Sequence, residues 1–367
     1  MAIISELMQS YDQSNTADIF VAEGIHTISP SDTPLQLLLP KIQVSEIKAQ
    51  WVEDDLGALT TTLNEELDNS ETEIDVVDGT IFEDTVDTVI RIDREYMLVT
   101  GVSTNTLTVA TRPYGSTSAA THASGAVVHI VSQVEHEGAD GKKAKARART
   151  IPSNYVQTFS RTVEVSGIQE AIRKMGGVTS EIDYQIMIAM RQLSLELEKT
   201  LLMGVKSQVG DGSTAYRTMG GLFALVTQAT SDSGGIDTTC IEADIKTIWE
   251  AGGVPRVILT TGKLAQDIAS LYASRIQTDI MTTIGGVNVT SIINPLGIGP
   301  IAIIPHRLMN AGEYFVLDTA RMALGYLRPF HMEPLAKDGD SEKRIIIGDY
   351  TLELMNATAH TSRYGLT

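Results

Sequence analysis

Ser180-Glu-Ile-Asp-Tyr-Gln-Ile-Met-Ile-Ala-Met-Arg-Gln-Leu-Ser-Leu-Glu-Leu-Glu-Lys-Thr-Leu-Leu-Met203 carries the clearest helical pattern in the chain. Ile182, Ile186, Met190, Leu193, Leu197 and Leu201 recur at three- and four-residue spacing, which predicts one apolar stripe. Ser180 is placed to cap the first turn, and Asp183 favours its positive end. Twenty-four residues at ~1.5 Å each make a rod of roughly 36 Å. Ile188, Leu195 and Leu202 lie off the stripe, so other faces are expected to meet neighbours.

Downstream, the pattern changes to short alternating elements. A helix is expected over Ile241 to Glu250, opened by a Thr239-x-x-Glu242 capping box and stopped at Gly252-Gly253. A strand (Arg256 to Thr260), a helix (Lys263 to Tyr272) and strands at Gly286 to Ile293, Ile301 to Ile304 and Tyr314 to Leu317 follow. Two closing strands are read at Arg344 to Gly348 and Tyr350 to Met355. Together these make an α+β unit.

Upstream lies a basic segment, Gly138-Ala-Asp-Gly-Lys-Lys-Ala-Lys-Ala-Arg-Ala-Arg149, with five cations and one acid. Lys145, Arg147 and Arg149 alternate with alanines, as an extended strand with charges on one face requires. No aromatic is interleaved for base stacking, so the segment reads as an arm that docks on an acidic surface of another subunit. Before it, Glu65 to Ile130 holds short β-branched runs separated by Asp78-Gly79 and Ser103-Thr-Asn105 turns, the pattern of a small all-β module. Asn64 to Glu95 contains twelve acids and two bases, a self-repelling surface that favours solubility. No Asp-x-Asp-x-Asp-Gly loop ending in glutamate is present, which counts against calcium. Residues 1–44 show no sustained period. Ser29-Pro-Ser-Asp-Thr-Pro-Leu-Gln-Leu-Leu-Leu-Pro40 reads as an extended arm with one short apolar anchor.

The whole chain has 367 residues, 28 basic against 46 acidic, for a net charge of −18. Such acidity argues against a free nucleic-acid binder. The single cysteine, Cys240, rules out an intrachain disulfide. No secretory signal is visible, and the uncharged stretch Ile280 to His306 is broken by glycines and prolines, so no membrane span is expected.

Catalytic patterns are missing. Gly262-Lys263 lacks the rest of a phosphate loop, and Gly297-x-Gly-x-x-Ala302 precedes a strand-like run, leaving no helix N-terminus for a pyrophosphate. No serine elbow, zincin motif or paired-cysteine spacing occurs. His122, His129 and His136 alternate faces on extended chain and read as solvated residues. Asp338-Gly-Asp-Ser-Glu342 reads as a turn between two strands. Cys240, beside a helix start, reads as a small buried residue and not as a nucleophile. No catalytic residue, cofactor or metal is assigned, and an acidic hydrolase is the weakest of the rival readings.

The order of parts carries a resemblance over essentially the whole chain. Ser31-Asp-Thr-Pro-Leu-Gln-Leu-Leu-Leu-Pro-Lys41, the Glu181 to Met203 helix and Gly253-Val-Pro-Arg-Val-Ile-Leu-Thr-Thr261 contribute to it. So does Tyr326-Leu-Arg-Pro-Phe330, leading through Glu333-Pro-Leu-Ala-Lys-Asp-Gly-Asp-Ser-Glu-Lys-Arg344 to Tyr350-Thr-Leu-Glu-Leu354. The chain resembles the major capsid proteins of tailed bacteriophages, of the Hong Kong 97-type fold, in the subgroup with a β domain inserted in the extended loop. The resemblance implies an N-terminal arm at 1–44, an extended loop at 45–62 and 133–165, and an inserted β domain at 63–132. It implies a peripheral domain at 166–235 and 336–367, built on the spine helix, and an axial domain at 236–335. It further implies pentamers and hexamers in an icosahedral shell around double-stranded DNA, assembled in the bacterial cytoplasm, with only weak contact to the packaged DNA. Portal, scaffolding and decoration proteins are the implied partners. Lys142, Lys143, Lys145, Arg147 and Arg149 become subunit-interface candidates, and Asn356 with these lysines the cross-link candidates that some relatives use. A head-decoration or tail-associated protein is the alternative within the virion.

Overall fold

The computed structural model describes residues 33–82, 87–135, 137–138, 148–172, 179–210, 215–272, 276–277, 283–284, 287–288, 290–294, 296–297, 299–337 and 339–367. The chain divides into two compact units, Val52–Thr150 and the remainder.

Val52–Thr150 is all β. Its strands run in the order Thr60–Thr62, Val127–Val134, Asp87–Ile92, Glu95–Ser103, Thr106–Thr111 and Glu73–Asp75, with each described pairing antiparallel. The last strand then meets the first. Leu63 bridges Val76, the Asn64 N–H donates to Asp75 O, and the Val77 N–H donates to Thr62 O, both at 2.9 Å. The sheet is therefore a closed barrel, which removes the edges that an open sheet leaves unpaired. Inward positions alternate along the strands, and Ile74, Ile90, Ile92, Met97, Leu107 and Val128 are fully buried inside it. The Ser103-Thr-Asn105 turn holds Thr104 at φ 55°, and a Cβ on Gly79 would lie 2.0 Å from Thr104 O, so glycine is required there. The unit starts at Val52 and ends at Thr150, wider than the expected 63–132. A boundary at 63 detaches Thr60–Thr62 from the barrel, and one at 132 cuts Val127–Val134 in two.

The other unit is built on the long helix Glu181–Met203. Ser180 Oγ accepts from the Asp183 N–H, as its spacing predicts, and Leu193, Leu197 and Leu201 are buried. The stripe shifts along its length. Met190 is exposed while Leu202, off the stripe, is fully buried, because two sheets pack against different parts of the helix. The first sheet orders Lys41–Gln43, Met322–Pro334, Ser341–Leu354 and Gln157–Ser166. Ser341–Leu354 is one strand where two are expected. Asp349 resembles a break in the sequence, yet its carboxylate accepts from Arg328 and from Thr158 Oγ1, so the ladder runs through it.

The second sheet has seven strands, ordered Gln228–Ser231, Thr361–Tyr364, Tyr314–Leu317, Val257–Thr260, Pro300–Pro305, Thr290–Ile293 and Ile276–Gln277. Its centre is buried on both faces. Val257, Leu259, Phe315, Leu317 and Ile304 join the core under the long helix. Ile258, Tyr314, Val316, Ile301 and Ile303 join a second core under the helices Thr238–Glu250 and Gly262–Leu271. Such strands read as continuous apolar runs because neither face meets water. The helix Thr238–Glu250 is capped differently from expectation. Asp237 Oδ1 accepts from the Cys240 N–H at 2.8 Å, and Thr239 donates its hydroxyl to the same carboxylate, so the helix starts three residues early.

Candidate assembly surface

The described start of the chain is fastened to the long helix. Pro34–Leu38 forms a single helical turn whose Thr33 cap supplies no side-chain bond. Glu198 supplies it from across the fold. Its Oε1 accepts from the Leu35 N–H at 2.7 Å, and its Oε2 accepts from the Gln36 N–H at 3.2 Å and Gln36 Nε2 at 3.1 Å. His306, at the end of Pro300–Pro305, donates Nε2–H to Glu198 Oε1 at 2.8 Å while its Nδ1 accepts from the Leu308 N–H. Glu198 and His306 are buried, so the carboxylate is held by fixed donors and by the positive end of the helical turn. Leu35 and Leu39 enter the core beside it. The short apolar anchor expected in the arm is this element, and residues 1–32 lie outside the described residues.

Asn154 plays a similar joining role. Its Nδ2 donates to Gly220 O and Leu352 O, and its Oδ1 accepts from the Gly220 N–H, all within 2.9 Å. The short ladder Lys48–Gln50 with Ser153–Tyr155 is thereby tied to the first sheet. Arg363 on the last strand makes a two-pronged pair with Asp244 and donates to the hydroxyl of Tyr314, which itself donates to Asp244. Burial, followed by the Asp244 charge, holds the Tyr314 hydroxyl far above its usual range.

The sequence candidates fall out unevenly. Lys142, Lys143, Lys145 and Arg147 lie outside the described residues. Arg149 is exposed, and its Nε lies 3.5 Å from Asp54 Oδ2. Asn356 adopts a left-handed conformation at φ 51°, and its Oδ1 accepts from Arg321 Nη1 at 2.7 Å. Cys240 is half-buried, and burial together with Asp237 and Asp232 pushes its thiol up to about 11, the opposite of activation.

His122 departs from the solvated reading. Its ring is buried between Asp93 Oδ2 at 2.8 Å and Glu95 Oε2 at 2.9 Å, inside the barrel unit. Arg112 pairs with Glu95 Oε1 at 2.8 Å and donates to Glu71 O and Ala120 O. Desolvation raises the Glu95 carboxyl, but Arg112, the Ala120 N–H and His122 outweigh it and hold it below the ordinary range. His129 is exposed, and His136 lies outside the described residues. Asp338 also lies outside them, while Gly339 beside it turns at φ 107°. Among the described residues no three His, Cys, Asp or Glu side chains are placed to hold a metal ion, and no helix is long and apolar enough to cross a membrane.

Glu198 and His306 were not singled out by sequence reasoning. One signal existed: Glu198 sits one turn before Leu201 and Leu202, an acid among buried leucines. His306 and Asn154 carry no local signal, since their partners are remote in sequence.

Many solved structures share this fold. A capsid protein from the cyanophage A-1(L) capsid asymmetric unit matches at TM-score 0.54 and 12% identity, covering 98% of this chain and 100% of that one. The capsid of Myoviridae phage XM1 matches at 0.50 and 11%, covering 99% and 100%. The holo-SrpI encapsulin complex of Synechococcus elongatus PCC 7942 matches at 0.52 and 9%, covering 98% and 96%. No curated protein matches the chain in sequence. The fold is the expected α+β Hong Kong 97 type. Phage capsids and an encapsulin share it, so fold alone leaves the function open. The family model does not: the SU10 major capsid protein model matches residues 8–367. The chain belongs to the SU10 major capsid protein family, and it is a structural subunit of a tailed-phage capsid shell.

Proposed function

We propose that the subunit closes into rings of five and six copies that tile an icosahedral head around double-stranded DNA, with a structural and not a catalytic role. In this reading residues 1–44 are the arm, the segments flanking the barrel form the extended loop, and the barrel is an insertion in that loop. Residues 166–235 and 336–367 form the peripheral domain, and 236–335 the axial domain. Assembly takes place in the host cytoplasm, with portal, scaffolding and decoration proteins as further partners. The net charge of −18 suits a shell that touches its packaged DNA only weakly.

One observation carries this reading. The hairpin Ser207–Val209 with Tyr216–Thr218 forms a sheet of its own, and its opposed pair Val209 and Tyr216 is 63% and 76% exposed. A two-stranded ribbon is marginal alone in water, and its apolar pair needs a second surface. Head-to-tail contacts between unlike surfaces supply that surface in every copy and close into rings. Gel filtration of the expressed protein followed by negative-stain microscopy tests the reading. Shells, tubes or capsomer-sized rings are expected. A monomer that binds only to pre-formed particles would transfer the protein to the decoration class.

The five cations of Lys142–Arg149 are proposed to meet an acidic surface of the neighbouring subunit. Reversing Lys145, Arg147 and Arg149 to glutamate is expected to leave the subunit folded by circular dichroism while reducing particle yield. If instead particle yield is unchanged and DNA affinity is lost, the segment is a nucleic-acid contact.

A further inference from the structure

The barrel carries unlike charge on opposite sides. Its strands follow one another as Thr60–Thr62, Val127–Val134, Asp87–Ile92, Glu95–Ser103, Thr106–Thr111 and Glu73–Asp75, and the last meets the first. In a closed ring of this order, the seam between Asp87–Ile92 and Glu95–Ser103 lies across from the seam where Glu73–Asp75 meets Thr60–Thr62.

The closing seam is acidic. Leu63 bridges Val76 there, the Asn64 N–H donates to Asp75 O, and Glu65 and Glu66 follow directly in the chain. Glu65, Glu66, Asp68 and Glu73 are exposed, and Asn64 to Thr80 holds seven acids and no base. The seam across from it is cationic and aromatic. Arg91 and Tyr96 are directly paired across it, and Arg91 Cζ stands 5.8 Å from the centre of the Tyr96 ring. Arg91 Nε donates to Asp93 O at 2.7 Å, which together with the ring fixes the plane of the guanidinium. Arg94, in the connecting turn, is exposed as well. Both acids of that turn are engaged within the barrel: Asp93 Oδ2 lies 2.8 Å from His122 Nδ1, and Glu95 is buried against Arg112 and His122. On the neighbouring strand His129 pairs with Arg91, flanked by Val127 and Val131, which are 44% and 50% exposed. An oriented arginine, a tyrosine and exposed aliphatic side chains are the composition of a protein interface.

An occupant of this seam must bring carboxylates, and the far side of the same barrel displays them. A head-to-tail contact joins two unlike surfaces of one molecule and repeats around a ring with no third component. A two-fold contact through either seam would instead set arginine against arginine or acid against acid, which like charge opposes. We propose that the barrels of neighbouring copies dock head to tail, with the Arg91, Arg94 and Tyr96 seam of one on the Glu65, Glu66 and Glu73 seam of the next. Arg91 offers its fork to a carboxylate, and the Tyr96 ring beneath it keeps that fork from folding away. This inference rests on the self-assembly reading and adds to it a contact between barrels.

The test exchanges charges in the full-length chain. One variant carries Arg91→Glu and Arg94→Glu, and a second carries Glu65→Arg, Glu66→Arg and Glu73→Arg. Each is expected to lower particle yield roughly ten-fold, because like charges then face each other at every barrel contact. A third variant combines both sets, which restores opposite charge to a head-to-tail contact, and its yield is expected to return to within roughly two-fold of wild type. Parents that assemble as wild type does, or a combined variant that fails as its parents do, overturn the barrel contact while the shell reading stands. Wild-type protein that forms no particles overturns the shell reading itself. Protease resistance of the barrel within each full-length variant checks its folding. Where a reversal loosens the barrel, Arg91→Gln with Arg94→Gln takes its place. Its yield should fall below wild type at low salt and match it at high salt, where screening removes the contact from both. Equal yields at every salt concentration refute the contact.

Discussion

The Leu35 N–H donates to Glu198 Oε1 at 2.7 Å across 163 residues of chain, and it does so in a buried site. The helical turn Pro34–Leu38 is thus closed by a carboxylate of the long helix. Glu198→Ala strands the donors on Leu35, Gln36 and His306. With each buried unsatisfied group costing ~1–3 kcal/mol, a loss on the order of 3 kcal/mol is expected. Glu198→Gln keeps one acceptor and falls between. Urea denaturation monitored by circular dichroism reads both, and an unchanged midpoint for Glu198→Ala refutes the fastening.

Leu193 is fully buried in the middle of the long helix. Leu193→Ala is expected to cost ~2–5 kcal/mol through lost burial and the cavity left behind. Leu193→Asp should abolish folding, and soluble, assembly-competent Leu193→Asp protein would show that the helix does not face a core there.

In the barrel, Arg112 and Glu95 form a buried pair with His122 as a third member. Removing one partner of such a pair costs ~3–5 kcal/mol, so Arg112→Ala should unfold the barrel well before the helical unit. Glu95 has a folded value below its unfolded 4.5, so its contribution is present above that value and is lost as pH falls through the lower folded one. Limited proteolysis of the full chain across a urea series, which reports cleavage in the barrel and in the helical unit separately, would record the first effect, and the same series run at falling pH the second.

His360 supplies a pH dependence of the other unit. Its ring is fully buried, and burial lowers it from 6.5 to about 4. The unfolded chain therefore binds a proton between these values that the folded chain refuses, so stability rises with pH across that window and falls on acidification. At 1.36 kcal/mol per unit the full effect is ~3 kcal/mol. Denaturation midpoints measured from pH 7 to pH 4 should fall in the wild type, with a shallower slope in His360→Gln. Equal slopes would remove His360 as the source.

Replacing residues 54–149 with a short glycine-serine linker should leave a soluble, helical remainder, because the barrel has its own core. Cuts at 64 and 131 should fare worse, since they leave Thr60–Thr62 and part of Val127–Val134 as unpaired stubs. An insoluble remainder from the wider deletion, seen by gel filtration, would make the barrel part of the main core.

Elements with strong local periodicity were legible in the sequence. Ser180 and Leu193, Leu197 and Leu201 announced the long helix, and the Asp78-Gly79 and Ser103-Thr-Asn105 turns announced the β unit. What escaped was set by distant partners. Asp349 read as a strand break until Arg328 and Thr158 are seen to satisfy it. His122 read as solvated because Asp93 and Glu95, the latter held by Arg112, converge on it only when the barrel closes. Thr239 and Glu242 matched a capping box, but Asp237, two residues earlier, caps the helix through the Cys240 N–H and takes the Thr239 hydroxyl as a donor. The Glu198 and His306 fastening joins three segments far apart in sequence, and no window of local sequence contains it.

Glu53 and Thr150 face each other in a backbone bridge, so the barrel begins and ends at a single point. An insertion entered and left through neighbouring residues adds almost no closure cost to its host, whatever its own length. That makes the site a port. Other folded modules with adjacent termini, or a displayed peptide, can take the barrel's place without asking the surrounding chain to change its path, and a shell would then carry one copy of such cargo on every subunit.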